Sequence, residues 1–458
     1  MIGQQAHLAA VQRVREQLAA LPADQPVRLA KKTSNLFRNR ERLGSPGLDV
    51  SDLNHVISID PQQQTADVQG MTTYEDLVAE TLAFGLMPYV VPQLRTITLG
   101  GAVTGLGIES SSFRMGLPHE SVTELDILTG AGEILHATPD GEHADLFRAF
   151  PNSYGSLGYS VRLRIKLMPV KPFMRLQHVR FDDLESCIAQ MDEIVRSGQY
   201  DGRAVDFLDG VVFSRHESYL VVATFAEHAP YVSDYTGQQI YYRSIQQRTD
   251  DYLTVEDYIW RWDTDWFWCD GALGLGRPMV RRIWPDKYKR SDVYSKIIRF
   301  ETTHEIKARI DRWRGKPDRE RVIQDVEVPI GRTAEFLHWF TQNVPISPVW
   351  LCPMRLLDHT VEGQPWPLYP MRTDETYVNV GFWATVPIAD GAKDGDVNRR
   401  IEQAVGTFDG HKSLYSDAYY DEDTFWQLYG GETYQAIKKR YDPSGRLPDL
   451  YTKAVLRK

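Results

Sequence analysis

The sequence has few cysteines, and their spacing gives no sign of a bound metal or a set of disulfides. Cys187, Cys269 and Cys352 are the three cysteines in 458 residues, and they form no CxxC or Cys/His pattern. An odd number of scattered cysteines argues against a disulfide framework and fits a reducing compartment. We therefore expect no metal site and a cytoplasmic protein.

Long apolar runs and an excess of basic charge are also missing. No run of 18 apolar residues occurs, so we expect no membrane-spanning segment. The stretch from Ala9 to Leu21 places Arg13, Arg15 and Glu16 among apolar residues, which predicts an amphipathic helix and not a signal peptide. The formal net charge of −10 leaves no broad basic face, so we expect no nucleic-acid partner.

Two common nucleotide-binding motifs are absent as well. The sequence contains no GK[ST] phosphate loop and no GxGxxG between a strand and a helix. A glycine cluster at 271–276 stands in the wrong context for dinucleotide binding, and we interpret it as a turn. Any nucleotide site must therefore use a different segment.

Such a segment runs from Thr98 to Gly116. It contains five glycines in the 17 residues from 100 to 116, together with three consecutive serines. Glycines let main-chain N–H groups approach a ligand closely, and consecutive amides form a concavity suited to a pyrophosphate. A flexible linker has a similar composition, but apolar residues at 99, 103, 106 and 108 favour an ordered, buried segment.

The length predicts two or three domains, and strands and helices alternate unevenly, as in an α+β protein. Thr73 to Phe84 is predicted as a helix capped by Thr73 and ended by Gly85. Pro169 and Pro172 indicate a domain boundary. Residues 230 to 300 are rich in aromatic residues and are predicted to be irregular.

Several motifs in order resemble the PCMH-type FAD domain of the vanillyl-alcohol-oxidase and p-cresol-methylhydroxylase superfamily. They are the glycine segment, Asp145-Leu146-Phe147, Gly155 to Gly158, and Lys439 to Pro443. Further motifs resemble the delta-24 sterol reductase branch: Gly107 to Ser112, Gln324 to Pro329, Pro348 to Pro353, Tyr415 to Tyr419, and Phe425-Trp426.

The resemblance implies a fold and a cofactor site. It implies an α+β architecture with a two-part FAD-binding PCMH-type domain at 1–170, an α+β substrate or cap domain at 171–410, and a C-terminal segment at 411–458 that closes onto the flavin site. The implied FAD-binding residues are Thr98, Gly100, Gly101, Gly105, Gly107, Ile108, Glu109, Ser110, Ser111, Ser112, Gly116, Gly155, Ser156, Gly158 and Val161. The first phosphate loop is expected at 32–38, where no R.GGH occurs, so we expect non-covalent FAD.

The same branch implies reduction of an unactivated alkene. Protonation of one carbon would leave a tertiary cation, which hydride from reduced flavin would quench, so the site needs an acid and a dry, aromatic pocket. Candidate acids are Glu109, Glu327, His411, Tyr415, Asp417 and Tyr419. The last three recur every second residue and would share one face of a strand. For Glu109 the alternative is a carboxylate that accepts hydrogen bonds from loop N–H groups.

Bacterial relatives of this branch include enzymes that reduce a 10-methylene fatty acyl chain beside a methyltransferase. Sterol reductases carry an N-terminal membrane segment, which we do not expect here, so we favour a phospholipid-linked methylene-acyl substrate. NADPH is the expected electron donor, a fatty-acyl methyltransferase an expected partner, and the inner membrane face a site of peripheral contact. Alternatives are delta-24 sterol reduction, an alcohol or sugar oxidase that uses O2, and a non-enzymatic FAD-binding subunit.

Overall fold

A computed structural model describes residues 1–22, 25–31, 37, 47–265, 273–304, 309 and 313–457. The expected phosphate loop at 32–38 lies outside these residues except for Phe37, as do Cys269 and the start of the glycine cluster at 271–276. Within the described residues, no helix combines the length and the apolar character that a membrane crossing requires.

The helices of the described residues are spread along the chain. They are α1 Gly3–Ala20, α2 Tyr74–Leu82, α3 Leu99–Thr104, α4 Ser112–Met115, α5 Ala144–Ala149, α6 Leu184–Ser197, α7 Tyr241–Ser244, α8 Val255–Ile259, α9 Arg261–Thr264, α10 Pro278–Ile283, α11 Ser291–His304, α12 Ile330–Asn343, α13 Asp396–Thr407, α14 Glu422–Leu428, α15 Gly431–Tyr441 and α16 Leu450–Ala454. Short 3-10 turns cover Pro118–Ser121 and Asp286–Tyr288.

The strands fall into two large sheets and two small pairs. They are β1 Leu29–Ala30, β2 Leu48–Asp49, β3 Val56–Asp60, β4 Thr65–Gln69, β5 Leu86–Pro88, β6 Val122–Leu128, β7 Ile134–Ala137, β8 Tyr159–Pro169, β9 Phe173–Phe181, β10 Gln199–Tyr200, β11 Arg203–Ala204, β12 Phe207–Ser214, β13 Glu217–Ala226, β14 Asp250–Thr254, β15 Arg319–Pro329, β16 Val349–Met354, β17 Tyr377–Pro387 and β18 His411–Lys412. This mixture of helices and antiparallel sheets confirms the predicted α+β class.

The first large sheet has the order β3-β4-β8-β6-β7, and β5 also pairs with β8. Helix α2 packs beside it and begins where predicted, because the N–H of Asp76 donates to the Oγ1 of its cap, Thr73. Gly85, with φ of +68°, follows the helix end and turns the chain into β5. Helix α1 covers another part of the sheet, where Val14 and Leu18 pack against Val161.

The second large sheet has eight strands in the order β14-β9-β13-β12-β16-β17-β15-β18. Helices α6, α12 and α13 cover one face, where Leu208, Leu220, Val326 and Val380 are buried. The opposite face carries the residues that alternate with these, because successive side chains of a strand point to opposite faces. That face turns toward the first sheet and shares its core.

The C-terminal helices lie against the first sheet and its loops. Lys453 donates from Nζ to the carbonyl of Gly155 at 2.7 Å, and Lys438 donates to the carbonyl of Ser156 at 2.7 Å. The hydroxyl of Tyr441 donates to Asp145 at 2.7 Å. The domain bounds at 170 and 410 stay predictions; β18, just past the second bound, pairs with β15 of the second sheet.

Residues 230 to 300 are more regular than expected. Their described part contains four short helices and the 14-residue helix α11. The helical periodicity of this region was hard to detect in the sequence because large aromatic residues occupy both the buried and the partly exposed positions of its helices. Their burial depends on neighbouring elements and not on a single amphipathic stripe.

Candidate active site

The glycine segment begins as a helical turn and continues as a loop. Thr98 caps α3, since the N–H of Gly101 donates to its Oγ1 at 3.2 Å, and Lys31 donates to the same oxygen at 3.4 Å. No hydrogen bond within the described residues uses the N–H groups at 106–108, although Gly107 and Ile108 are buried. Buried main-chain donors need partners, so these three consecutive groups fit a bound phosphate.

Two glycines of this segment are required by close packing. A Cβ on Gly100 would lie 2.6 Å from the carbonyl oxygen of Gly70, on the adjoining edge of the first sheet. A Cβ on Gly107 would lie 2.7 Å from the ring of Pro118 and 2.8 Å from that of Pro92. The segment is therefore held tightly against the sheet, as the apolar residues within it predicted.

The substitution Gly100→Ala is expected to destabilise the protein by about 1–3 kcal/mol, because an added methyl group overpacks the contact with Gly70. It is also expected to weaken FAD binding. Urea denaturation and titration with FAD measure the two effects. Gly406→Ala is the matched control, since that helical glycine has no atom within 4 Å of an added Cβ and alanine favours a helix. Equal stability of the two variants would contradict the packing argument.

The three predicted serines belong to the glycine segment itself. Each serine hydroxyl has a partner within the protein: Ser110 contacts Tyr258 at 3.0 Å, Ser111 donates to the carbonyl of Tyr89 at 2.7 Å, and Ser112 accepts from the N–H of Glu109 at 3.2 Å. These hydroxyls shape the segment.

Glycines at 116, 155 and 158 all have positive φ, of +69°, +72° and +148°. The N–H of Tyr154 donates to the carbonyl of Thr104 at 2.7 Å, which joins the second loop to the end of α3. Ser156 is buried in that loop. Val161 lies in β8 in the core beneath α1.

Glu109 belongs to a buried ionic network that the sequence did not predict. Arg261 donates from Nη2 to Glu109 at 2.7 Å and to Asp209 at 2.9 Å, and all three side chains are buried. The N–H of Ser110 donates to Glu109 at 2.9 Å, as in the alternative interpretation of this residue. Burial raises the pKa of Glu109, although the Arg261 guanidinium opposes that rise.

Aromatic side chains enclose the network. The indole N–H groups of Trp262 and Trp350 donate to Asp209 at 3.3 and 3.1 Å, and the Arg261 guanidinium lies 4.0 Å from the centre of the Tyr258 ring. The network joins the glycine segment to β12, β16 and α9. Two features of the sequence could have indicated this network: Asp209 lies within an apolar strand, and Arg261 lies between two tryptophans.

A second polar group lies on the face of the second sheet that turns toward the first. One row across four strands contains His411, Glu327, Asn379 and Cys352, each paired with the next. Asp325 lies two residues from Glu327 on the same face and accepts from Asn379 at 3.1 Å. Ser413 donates a hydrogen bond to the Oε1 of Glu327. The Oε2 of Glu327 has no hydrogen-bond partner within the described residues and lies 3.7 Å from the Nε2 of His411.

Burial controls the protonation of this row. Burial raises the pKa of Glu327 well above its ordinary value, and the nearby Asp325 raises it further. Burial likewise raises the pKa of Asp325 to about 6. Burial lowers the pKa of His411 to about 3, so its imidazole is neutral at neutral pH and carries no proton to give as an acid.

Aromatic rings surround these carboxyl groups. Tyr369 and Tyr377 meet His411 edge-on with ring centres 6.0 and 5.5 Å apart, and His119 meets Trp366 at 4.5 Å. Burial raises the pKa of Tyr369, and the nearby Glu327 and Tyr154 raise it further. Since a Cβ on Gly105 would lie 3.2 Å from the Tyr154 ring, these aromatic residues connect the glycine segment to Glu327.

Tyr415, Asp417 and Tyr419 do not lie in a strand, so that expectation is wrong. Strand β18 ends at Lys412, whose Nζ donates to the carbonyl of Asp417 at 2.5 Å and holds the following residues in a turn. Tyr415 contacts Asp325, whereas Asp417 pairs with Arg457 at 3.4 Å. Tyr419 lies against the same arginine, 5.2 Å from ring centre to guanidinium. Of the three, Tyr415 is the one that lies beside Asp325.

Comparison with known proteins identifies a type of domain and several relatives. A family model described as an FAD binding domain matches residues 7–138. The Delta(24)-sterol reductase of Arabidopsis thaliana is 27% identical over 436 residues, which cover 89% of this chain and 76% of that protein. The human Delta(24)-sterol reductase is 24% identical over 415 residues, with coverage of 88% and 76%.

Cytokinin dehydrogenase 9 of Oryza sativa subsp. japonica matches a shorter region. It is 28% identical over 146 residues, which cover 32% of this chain and 27% of that protein. The matches confirm the predicted FAD-binding domain, and the main-chain N–H groups at 106–108, which have no hydrogen-bond partner among the described residues, are suited to hold the pyrophosphate. The residues present therefore fit FAD.

Proposed function

We propose that this FAD-dependent oxidoreductase adds hydrogen across an unactivated carbon-carbon double bond, with Glu327 as the proton donor. One observation supports this most strongly. Glu327 is a buried carboxyl, burial raises its pKa and so favours its protonated form, and one of its oxygens has no hydrogen-bond partner within the described residues. The relatives named Delta(24)-sterol reductase support the same class of reaction.

Glu327 would give its proton to one alkene carbon, and a tertiary cation would form at the other. The rings of Tyr369 and Tyr377, which meet His411 beside Glu327, provide an aromatic, water-poor environment that tolerates this charge. Ser413 then stabilises the Glu327 carboxylate through its hydrogen bond. Neutral His411 fills the space beside this carboxyl without competing for its proton.

Reduced FAD, when bound, supplies a hydride that completes the addition. The segment at 98–112 would hold the cofactor, and the Glu109–Arg261–Asp209 network would fix that segment against the second sheet. One proton and one hydride enter the alkene, so the overall step needs two electrons from a donor. We propose NADPH as that donor.

The substrate is an apolar alkene carried by a lipid. A methylene-fatty-acyl phospholipid and a delta-24 sterol both protonate to a tertiary cation, so one site chemistry serves either. The residues around Glu327 support the alkene class, and the relatives' names favour the sterol. We retain the methylene-acyl chain as the first substrate to test and the sterol as the second.

An anaerobic experiment tests the proposal. The purified yellow protein is reduced with NADPH, or with NADH in a parallel sample, and each alkene is then added separately while flavin absorbance is followed. Return of the oxidised flavin spectrum with one alkene, together with the saturated product, is the expected result. If neither alkene re-oxidises the flavin while O2 does so quickly, the protein is an oxidase and the proposal is wrong.

A further inference from the structure

The segment at 277–316 differs from the rest of the protein in charge. It contains thirteen Lys and Arg against five Asp and Glu, a net charge of +8 in a chain of −10. Its exposed cations within the described residues include Arg277, Arg282, Lys287, Lys296 and Arg314. The exposed cations of the described residues place local positive charge on the surface of an acidic protein.

The same segment carries the most exposed large apolar side chains of the described residues. Met279, Ile283 and Trp313 are 84%, 81% and 86% exposed. Met279 and Ile283 are four residues apart on α10, so they lie on one side of that helix, with Arg282 next to them. Apolar side chains that project among cations are typical of surfaces that enter the boundary between lipid headgroups and acyl chains.

The other side of α10 leads toward the active site. Arg281 is buried and donates to Asp265 at 2.6 and 2.8 Å, directly after α9, which contains Arg261. Helices α10 and α11 also meet where the rings of Trp284 and Tyr294 lie 6.3 Å apart. The layer formed by α9 and α10 thus contributes Arg261 to the Glu109 network on its inner side and exposes Met279 and Ile283 on its outer side.

We infer that this surface, defined by Met279, Ile283, Arg282 and Lys287, docks the protein on an anionic lipid bilayer. This inference rests on the proposed function for one point, that the alkene is carried by a lipid. Anionic headgroups neutralise the cations, while the two apolar side chains enter the acyl boundary. A symmetric contact with a second copy would bring two positive surfaces together, and like charges disfavour it.

Vesicle sedimentation of the FAD-loaded protein tests this surface. Vesicles of phosphatidylcholine alone are compared with equimolar phosphatidylcholine and phosphatidylglycerol, at low and high salt. We expect preferential binding to the anionic vesicles that weakens with salt. The double substitution Met279→Ser and Ile283→Ser should weaken this binding about tenfold or more, because the variant has no apolar side chains at these positions to transfer from water into the bilayer. Arg282→Glu with Lys287→Glu should abolish the preference for anionic lipid.

Leu8→Ser with Val361→Ser is the matched control, since both side chains are exposed apolar residues outside this surface. It should bind vesicles as the unmodified protein does. Unchanged binding of the Met279 and Ile283 variant, or equal binding to both vesicle types, would overturn the inference. A dimer in solution that this variant dissociates would overturn it too, in favour of a contact between copies.

Turnover with detergent-dispersed alkene separates this inference from the proposed function. Vesicle binding without turnover of either alkene supports the docking surface and contradicts the reductase assignment. Turnover of an alkene without vesicle binding supports the reductase assignment and contradicts the docking surface. The Met279 and Ile283 variant should keep its rate on dispersed substrate and lose rate on vesicle-embedded substrate, since neither residue contacts the Glu327 row.

Discussion

Glu327→Gln is expected to lower the rate of alkene reduction by roughly 10²–10⁴-fold, the usual contribution of a positioned general acid. Glutamine keeps the shape and can still accept from Ser413, but its amide has no acidic proton to give. Reduction of the flavin by the electron donor should be unaffected. Rapid-mixing measurements of the two half-reactions provide the test.

Glu320→Gln is the control for this variant. Glu320 lies on the same strand and is also buried, but it points to the opposite face, where it accepts from the main-chain N–H of Asn398 at 2.8 Å. Its substitution should affect stability and leave the chemistry intact. If Glu327→Gln reduces the alkene at the unmodified rate, another group supplies the proton.

The pH profile follows from the direction of the pKa shift. Glu327 acts in its protonated form and its pKa is raised, so alkene reduction should continue to a higher pH than an ordinary carboxyl acid allows and fall as the pH rises past that pKa. The residual activity of Glu327→Gln should lack this alkaline decline. His411 cannot produce it, because a group with a pKa of about 3 is already neutral throughout this range.

Arg261→Met is expected to destabilise the protein by about 3–5 kcal/mol, because it leaves two buried carboxyl groups without their shared cation. Without the guanidinium, the pKa of Glu109 should rise further, so the carboxyl takes up a proton on folding. The glycine segment loses its fixed position, and FAD should bind more weakly. Urea denaturation and equilibrium dialysis with FAD measure the two losses.

Arg281→Met removes a second buried arginine from the same layer and serves as the comparison. Arg281 pairs with Asp265 and does not contact the glycine segment, so its loss should lower stability without changing the flavin spectrum. If both variants bind FAD equally well, the Glu109 network does not position the cofactor segment.

The sequence contained enough information to predict helix α2 and the glycine segment. Thr73 and Gly85 bound α2 because a cap and a left-handed glycine act locally. The glycine segment was recognisable because its glycines and apolar residues fall close together. These features depend on neighbours within a few residues, which a sequence displays directly.

The candidate acid and its supporting network depend on distant contacts. Arg261 and Glu109 are 152 residues apart, and Glu327 obtains its raised pKa from burial among four strands. Neither fact has a local signature. The alternation of Tyr415, Asp417 and Tyr419 was misleading because three alternating residues also occur in a turn, which Lys412 stabilises here.

The contact of Lys453 with the carbonyl of Gly155 spans 298 residues of sequence. During synthesis, the N-terminal sheet therefore leaves the ribosome long before the residues that secure one of its loops. Domains commonly fold as they emerge, but this one has to await the final helices before that loop is fixed. We therefore expect tight FAD binding to require the helices that carry Lys438 and Lys453.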